Sequence, residues 1–307
     1  MSTINSFYRD PNAVAYASQL FSGSRPAAIT AKGQSHPGTA FEDGSVQSSS
    51  QRALARIIEI LSLGGDDSAS EAKVTDNLGY ITQASGSEGD DKLTLTGRAI
   101  YQVETGAGDD TVMAKTAAMS GVALGDGKDS LKASAALLTD IDGGAGDDDL
   151  QLTGALIMNV TGGDGNDTIK VSGQTLTSID GGAGDDTMYL EGNRIFASGG
   201  KGNDTVTIHQ TGTIHQTGKD SGIAEYAFAA GDGSDTITTD GPLALKLDGY
   251  QQSDITISTS ANAMTISFAG STDKLTVAFD GAGTKGATPA YAFSNDSGRL
   301  TLTIKPT

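Results

Sequence analysis

The sequence predicts an all-β fold: a parallel β-roll or β-helix solenoid with an N-terminal capping helix and a C-terminal β-rich cap. Three observations predict it. A glycine and aspartate turn recurs eight times, starting at Gly86, Thr105, Leu124, Gly143, Gly162, Gly181, Gly199 and Ala230. The first six starts lie 19 residues apart, the seventh follows after 18 and the eighth after 31. Aliphatic residues sit at fixed offsets between these turns. The composition, with 42 Gly, no Cys, no Trp and 5% aromatics in 307 residues, suits stacked coils that each bury a few aliphatics rather than one large core.

The elements follow in order along the chain. Residues 1–49 read as a weakly ordered leader rich in Gly, Ser, Thr and Pro, with a short apolar stripe (Val14, Ala17, Leu20, Phe21) after Asp10 and Pro11 that fits a brief helix. Residues 50–64 read as a helix: Ser50 is placed to cap it, and Leu54, Ile57, Ile58 and Leu61 form one apolar face. Gly64 is placed to end it. Such a face needs cover, and the open end of the coil stack is the nearest apolar surface.

Residues 65–239 hold the repeat. Two positions after each turn comes an aliphatic (Leu93, Val112, Leu131, Leu150, Ile169, Met188, Val206, Ile237), and two further on comes Leu95, Ala114, Ala133, Leu152, Val171, Leu190, Ile208 or Thr239. This is the alternation of a strand with one buried face. A second pair, spaced by three, precedes the next turn (Ile100 and Val103, Met119 and Val122, Leu138 and Ile141, Ile157 and Val160, Leu176 and Ile179), which predicts a bend on that side. Each coil therefore has two short strands, one acidic turn and one plain turn. Val74, Ile81 and Ala84 extend three of the four columns backwards into a degenerate opening coil, with Asp76 spoiling the fourth. TIHQTG occurs twice in tandem, from Thr207 and Thr213, and lengthens the last interval. Residues 240–307 alternate in ALKL, DITIS, AMTISF, KLTVAF, AYAF and RLTLTI and read as antiparallel strands forming the cap.

Each turn ends in an aspartate: Asp91, Asp110, Asp129, Asp148, Asp167, Asp186, Asp204 and Asp235. Its third position is Glu88, Ala107, Asp126, Ala145, Asp164, Ala183, Lys201 or Asp232, and its fifth is Asp90, Asp109, Lys128, Asp147, Asn166, Asp185, Asn203 or Ser234. Where the third is Ala the fifth is Asp, so most turns carry two carboxylates. Gly86, Gly106, Gly108, Gly125, Gly127, Gly143, Gly162, Gly181 and Gly199 supply the backbone freedom to aim carbonyl oxygens inward. Carboxylates with carbonyls suit a hard divalent ion needing ~6 to 8 oxygens, calcium more than magnesium. One turn has too few oxygens, but two turns stacked ~4.8 Å apart can share an ion. About six calcium ions between adjacent regular turns is the expectation, with the turn of Lys201 and Asn203 the weakest.

GGAGDDDLQ, GGDGNDTIK, GGAGDDTMY and GGKGNDTVT resemble the RTX repeat, the haemolysin-type calcium-binding nonapeptide of secreted bacterial proteins. The resemblance covers about half the chain. It implies a parallel β-roll with calcium between turns, type I export by an uncleaved C-terminal signal, and folding outside the cell. The chain departs from that pattern by carrying turns on one side only, so a single row of ions is expected. Thr105, Leu124 and Ala230 replace the first glycine and are expected to weaken their turns.

Other classes fit less well. The net charge of -18, without a basic stripe, disfavours nucleic acid. No run of 18 apolar residues predicts a membrane span, and the N-terminus lacks the pattern of a cleaved Sec signal. There is no HExxH, no GxSxG and no cysteine, so no enzyme is expected and no catalytic residue is assigned. His209 and His215 read as exposed products of the duplication. The favoured expectation is a secreted or cell-surface, non-enzymatic calcium-binding protein that folds on extracellular calcium. Two alternatives are a surface, matrix or adhesin-like structural protein, with self-association or a surface partner, and a secreted effector or elicitor acting on a host.

Overall fold

The computed structural model describes residues 70–75, 79–212, 223–280, 288–296 and 298–306. The leader over 1–49, the capping helix over 50–64 and the second TIHQTG copy lie outside them. The described chain is a parallel β-solenoid of about 8 turns. Apart from a 3₁₀ turn at Gln252–Asp254, its regular structure is strand. No helix among the described residues is long and apolar enough to cross a membrane.

Two parallel ladders run along the coils. The first stacks the strands that follow each acidic turn: Ser70–Thr75, Asp91–Thr96, Thr111–Lys115, Ser130–Ser134, the front halves of Asp149–Asp164, Thr168–Ala183 and Thr187–Lys201, then Thr205–Gln210, Ser234–Thr239 and Lys274–Phe279. The second stacks the strands that lead into the next turn, from Tyr80–Ile81 and Ala84–Ser85 through Ala99–Ala107, Ala118–Asp126 and Leu137–Ala145 to Ala224–Ala229 and Leu243–Asp248. In the three coils between the turns that start at Gly143 and Gly199 the two strands run on as one bent strand. Register follows the 19-residue period, with Leu150 opposite Ile169 and Ile157 opposite Leu176. The four aliphatic columns meet inside as one continuous core, and their members from Leu93 and Ile100 onward are almost wholly buried. Each full burial of a Leu, Ile or Val contributes roughly 1.5–3 kcal/mol, and stacking identical offsets lets every coil collect it from both neighbours.

The bend expected from the three-residue gap has a definite cause. Gln102, Gly121, Asp140, Asn159 and Ser178 all have positive φ, between 50° and 70°, one residue before the inward Val103, Val122, Ile141, Val160 and Ile179. One left-handed residue turns the strand without losing the inward pair. The next coil lacks it: register slips there, Thr177 facing Phe196 and Ile179 facing Ala197, which is why that interval is 18 residues.

Two expectations need correction. Val74 pairs with Leu95 and Ala72 with Leu93, so the opening strand sits two residues from the expected register and Asp76 lies outside the described residues. Ile81 still faces Ile100, hence the opening coil takes two extra residues between its strands. Beyond residue 240 the strands are not all antiparallel. Leu243–Asp248 and Lys274–Phe279 prolong the parallel ladders, because Leu243, Leu245, Leu247, Leu275, Val277 and Phe279 continue the buried columns. Direction reverses only after them. Arg299–Lys305 pairs antiparallel with Leu243–Asp248 and with Ala290–Asp296, while Ala263–Phe268 pairs antiparallel with Lys274–Phe279 and with Ile255–Ser260. A two-residue turn with Asn262 at φ 61° closes that last hairpin.

Candidate metal centre

Alternation decides where the turn's last aspartate points. Asp91 lies two residues before Leu93 and four before Leu95, so all three share the inward face. The same holds for every coil, and all eight terminal aspartates are only 1–2% exposed. They form a ladder. From Asp110 to Asp235, Oδ1 of each accepts the backbone N–H of the aspartate one coil earlier, at 2.7–2.9 Å from Asp91 through Asp186 and 3.3 Å from Asp204. In this way the rung uses half of each carboxylate to satisfy a backbone donor that the turn would otherwise leave buried and unpaired.

Oδ2 is another matter. On the six interior rungs, Asp110, Asp129, Asp148, Asp167, Asp186 and Asp204, it is buried and has no hydrogen-bond partner. The two end rungs differ. Asp91 Oδ2 receives the N–H and the hydroxyl of Ser87, and Asp235 Oδ2 receives the Tyr226 hydroxyl at 2.7 Å. Tyr226 is fully buried, and its oxygen also accepts Gly199 N–H at 2.9 Å. After Asp235 the next rung position belongs to Leu275, which ends the ladder with an apolar side chain.

The glycines divide into two kinds. Those at the second and fourth positions, such as Gly144 and Gly146, have positive φ of 111° and 128°, which turns the corner. Those at the first position (Gly86, Gly143, Gly162, Gly181, Gly199) do not have positive φ; they leave room. A Cβ on Gly143, Gly162 or Gly181 would overlap both that rung's Asp Oδ2 and the first-position carbonyl of the next coil. Glycine is thus required here because a carboxylate oxygen and a carbonyl oxygen both press against its Cα, which brings two acceptor oxygens together beside each of these rungs.

Electrostatics mark the same atoms. Burial pushes Asp148 and Asp186 up to about 7 and Asp129 and Asp204 up to about 6; the donated backbone N–H opposes this and neighbouring carboxylates add to it. Asp110 and Asp167 are raised by burial as well. Asp235 is pushed up to about 7 by burial, against the pull of the Tyr226 hydrogen bond. Buried carboxylates without counter-charge or donor are costly, and either a proton or a cation relieves them.

The remaining turn acids lie elsewhere. Third-position Glu88, Asp126, Asp164 and Lys201 are exposed, Asp232 is half-buried, and Ala107, Ala145 and Ala183 share that outer side. Fifth-position Asp90, Asp109, Asp147, Asn166, Asp185 and Asn203 are exposed too, and form a second, oppositely directed ladder. Asp90, Asp109, Asp147, Asn166 and Asp185 each accept, through Oδ1, the backbone N–H of the fifth residue one coil later, at 2.7–2.9 Å. The two carboxylates of a turn therefore do not converge on one interior point, and no group of three His, Asp or Glu side chains gathers as a metal cage among the described residues. A cation at the inner ladder would take carboxylate oxygens from the rungs and carbonyl oxygens from the first positions, a donor set of hard oxygens that fits calcium. His209 is half exposed and pairs through Nδ1 with Asp240, away from the ladder. Ser87 and Tyr226 were not legible as ladder partners from spacing, since each lies off the terminal-aspartate offset. A scan against protein-family models finds no match to this chain, and a search of curated proteins finds none either.

Proposed function

We propose that this is an RTX-like, non-enzymatic protein that binds calcium along its inner aspartate ladder and needs it to hold the solenoid together outside the cell. One observation carries the reading: the buried Oδ2 atoms of Asp129, Asp148, Asp167, Asp186 and Asp204 lack any partner and that of Asp110 has at best the nearby Thr105 hydroxyl, while the two rungs that bracket them have protein donors in that place. If hydrogen bonds alone completed the ladder, the interior rungs would carry donors as the ends do. Up to six cations, one for each orphaned Oδ2, would replace them.

Calcium supplies charge compensation and coordination by several oxygens; the chain supplies a rigid column that spaces the carboxylates at the coil repeat. Extracellular calcium modules bind at ~0.1 to 1 mM, so a chain of this kind stays open in a low-calcium compartment and orders on release. Export by a type I route follows from the repeat's resemblance, and deleting residues 1–49 or 240–307 separately would show which end directs it.

Circular dichroism of the purified chain tests the central point. The β signal is expected to be full in millimolar calcium, clearly reduced in excess EDTA, and not restored by magnesium at the same concentration, because magnesium holds its water and demands octahedral geometry. Equal β content with and without chelator at neutral pH would sink the reading.

A further inference from the structure

The first positions beside the six orphaned rungs are not equivalent. Beside Asp148, Asp167 and Asp186 the first position is glycine, and the missing side chain leaves Oδ2 facing the carbonyl of Gly162, Gly181 or Gly199. Thr105 and Leu124 stand at the same register position as Gly143, flanked by Gly106, Gly125 and Gly144 in one ladder row. Both put a side chain where the glycine coils have none, and both are buried. The Thr105 hydroxyl donates to the Leu124 carbonyl, the counterpart of the carbonyl that lies beside Oδ2 in the glycine coils. Leu124 is fully buried and belongs to the apolar core.

The Asp204 rung is closed differently. A Cβ on Gly199 would meet the Tyr226 hydroxyl where the other glycine coils have a carbonyl. That hydroxyl already receives Gly199 N–H and donates to Asp235. The oxygen stands at the end of the column, and its proton is committed to the next rung.

Resting on the calcium reading above, we propose that cation binding is confined to three contiguous rungs, those of Asp148, Asp167 and Asp186, and that Thr105, Leu124 and Tyr226 close the other three rungs with side chains. The solenoid then has a calcium-dependent middle between two stretches that hold without metal. A cation needs the carboxylate and carbonyl oxygens together; among the rungs whose Oδ2 is orphaned, only those beside Gly143, Gly162 and Gly181 pair the two with no side chain between them, since Asp91 beside Gly86 already has its donors from Ser87. Thr105 puts its hydroxyl on that carbonyl, Leu124 puts there a side chain that offers no ligand, and Tyr226 stands where the other glycine coils have the carbonyl.

The test counts ions on the full-length chain. Native mass spectrometry after equilibration in calcium is expected to show three retained ions, with calorimetric titration giving the same stoichiometry. Asp129→Asn keeps the Oδ1 acceptor for Asp110 N–H and is expected to leave the count at three. Asp167→Asn, an equal change in a glycine coil, is expected to lower it to two or fewer and to weaken calcium affinity at least tenfold. A count of five or six on the unmutated chain, or an ion lost on Asp129→Asn, overturns the confinement and leaves calcium binding standing. A chain that retains no calcium overturns the underlying reading instead.

Discussion

At the scale of single residues, the terminal aspartate performs two tasks with one side chain. Oδ1 satisfies a backbone N–H one coil back, a structural role that needs no metal, while Oδ2 is left buried and uncompensated. This division predicts a pH dependence for the metal-free chain. Carboxyls raised in the fold to about 6 or 7 bind protons more tightly folded than unfolded. Their contribution is therefore fully present below the ordinary carboxylate range and is lost as pH rises through about 6 to 7. In EDTA, thermal unfolding followed by circular dichroism should show a higher midpoint near pH 5 than near pH 8, and saturating calcium should remove most of that difference. A chelated chain that is more stable near pH 8 would mean that the ladder is not the titrating element.

At the scale of the coil, glycine positions matter as much as the acids. Gly163 has φ of 119°, and a Cβ there would overlap the backbone of Gly144 one coil away. Neither a rotamer change nor a side-chain shift can relieve a clash with backbone. Gly163→Ala is accordingly expected to cost more than about 3 kcal/mol, combining positive-φ strain with displaced ladder hydrogen bonds. A thermal shift of only a degree or two would refute that estimate of coil rigidity.

Much of the coil was legible beforehand because its period repeats: the turn offsets, the four aliphatic columns and the bend on the second side all follow from counting. Inward aspartates were legible too, since alternation puts Asp148 on the face of Leu150 and Leu152, yet acidity suggests an outer edge when turns are read alone. What period could not supply was partners from outside the repeat. Tyr226 reaches Asp235 from the other ladder, and Ser87 serves the first rung from a position where later coils have glycine. The parallel continuation into Leu243–Asp248 and Lys274–Phe279 was hidden because strand alternation looks alike in both directions.

Across the whole molecule, the coil stack carries its ladder from Asp91 to Asp235, and each end is finished by different chemistry. At the C-terminal end Leu275 replaces the rung, antiparallel hairpins follow, and the rings of Phe228, Phe268 and Tyr250 stack with centroids 3.9–6.3 Å apart. Tyr250 also donates to Asp273, which accepts Gly231 N–H at 2.8 Å and hydrogen bonds from Ser271 and the Gly233 backbone as well. Burial alone would raise Asp273, but these hydrogen bonds outweigh it and hold the group below its usual range. This end of the array is thus tied by hydrogen bonds and aromatic packing, in contrast to the uncompensated rungs further in.

The most direct measurement is anomalous scattering from crystals of the full chain grown in calcium. Peaks are predicted inside the turns, beside Oδ2 of Asp148, Asp167 and Asp186, with first-position carbonyls completing the ligand set. An interior without anomalous density, its carboxyl groups bonded as neutral acids to those same carbonyls, would contradict a calcium-held ladder.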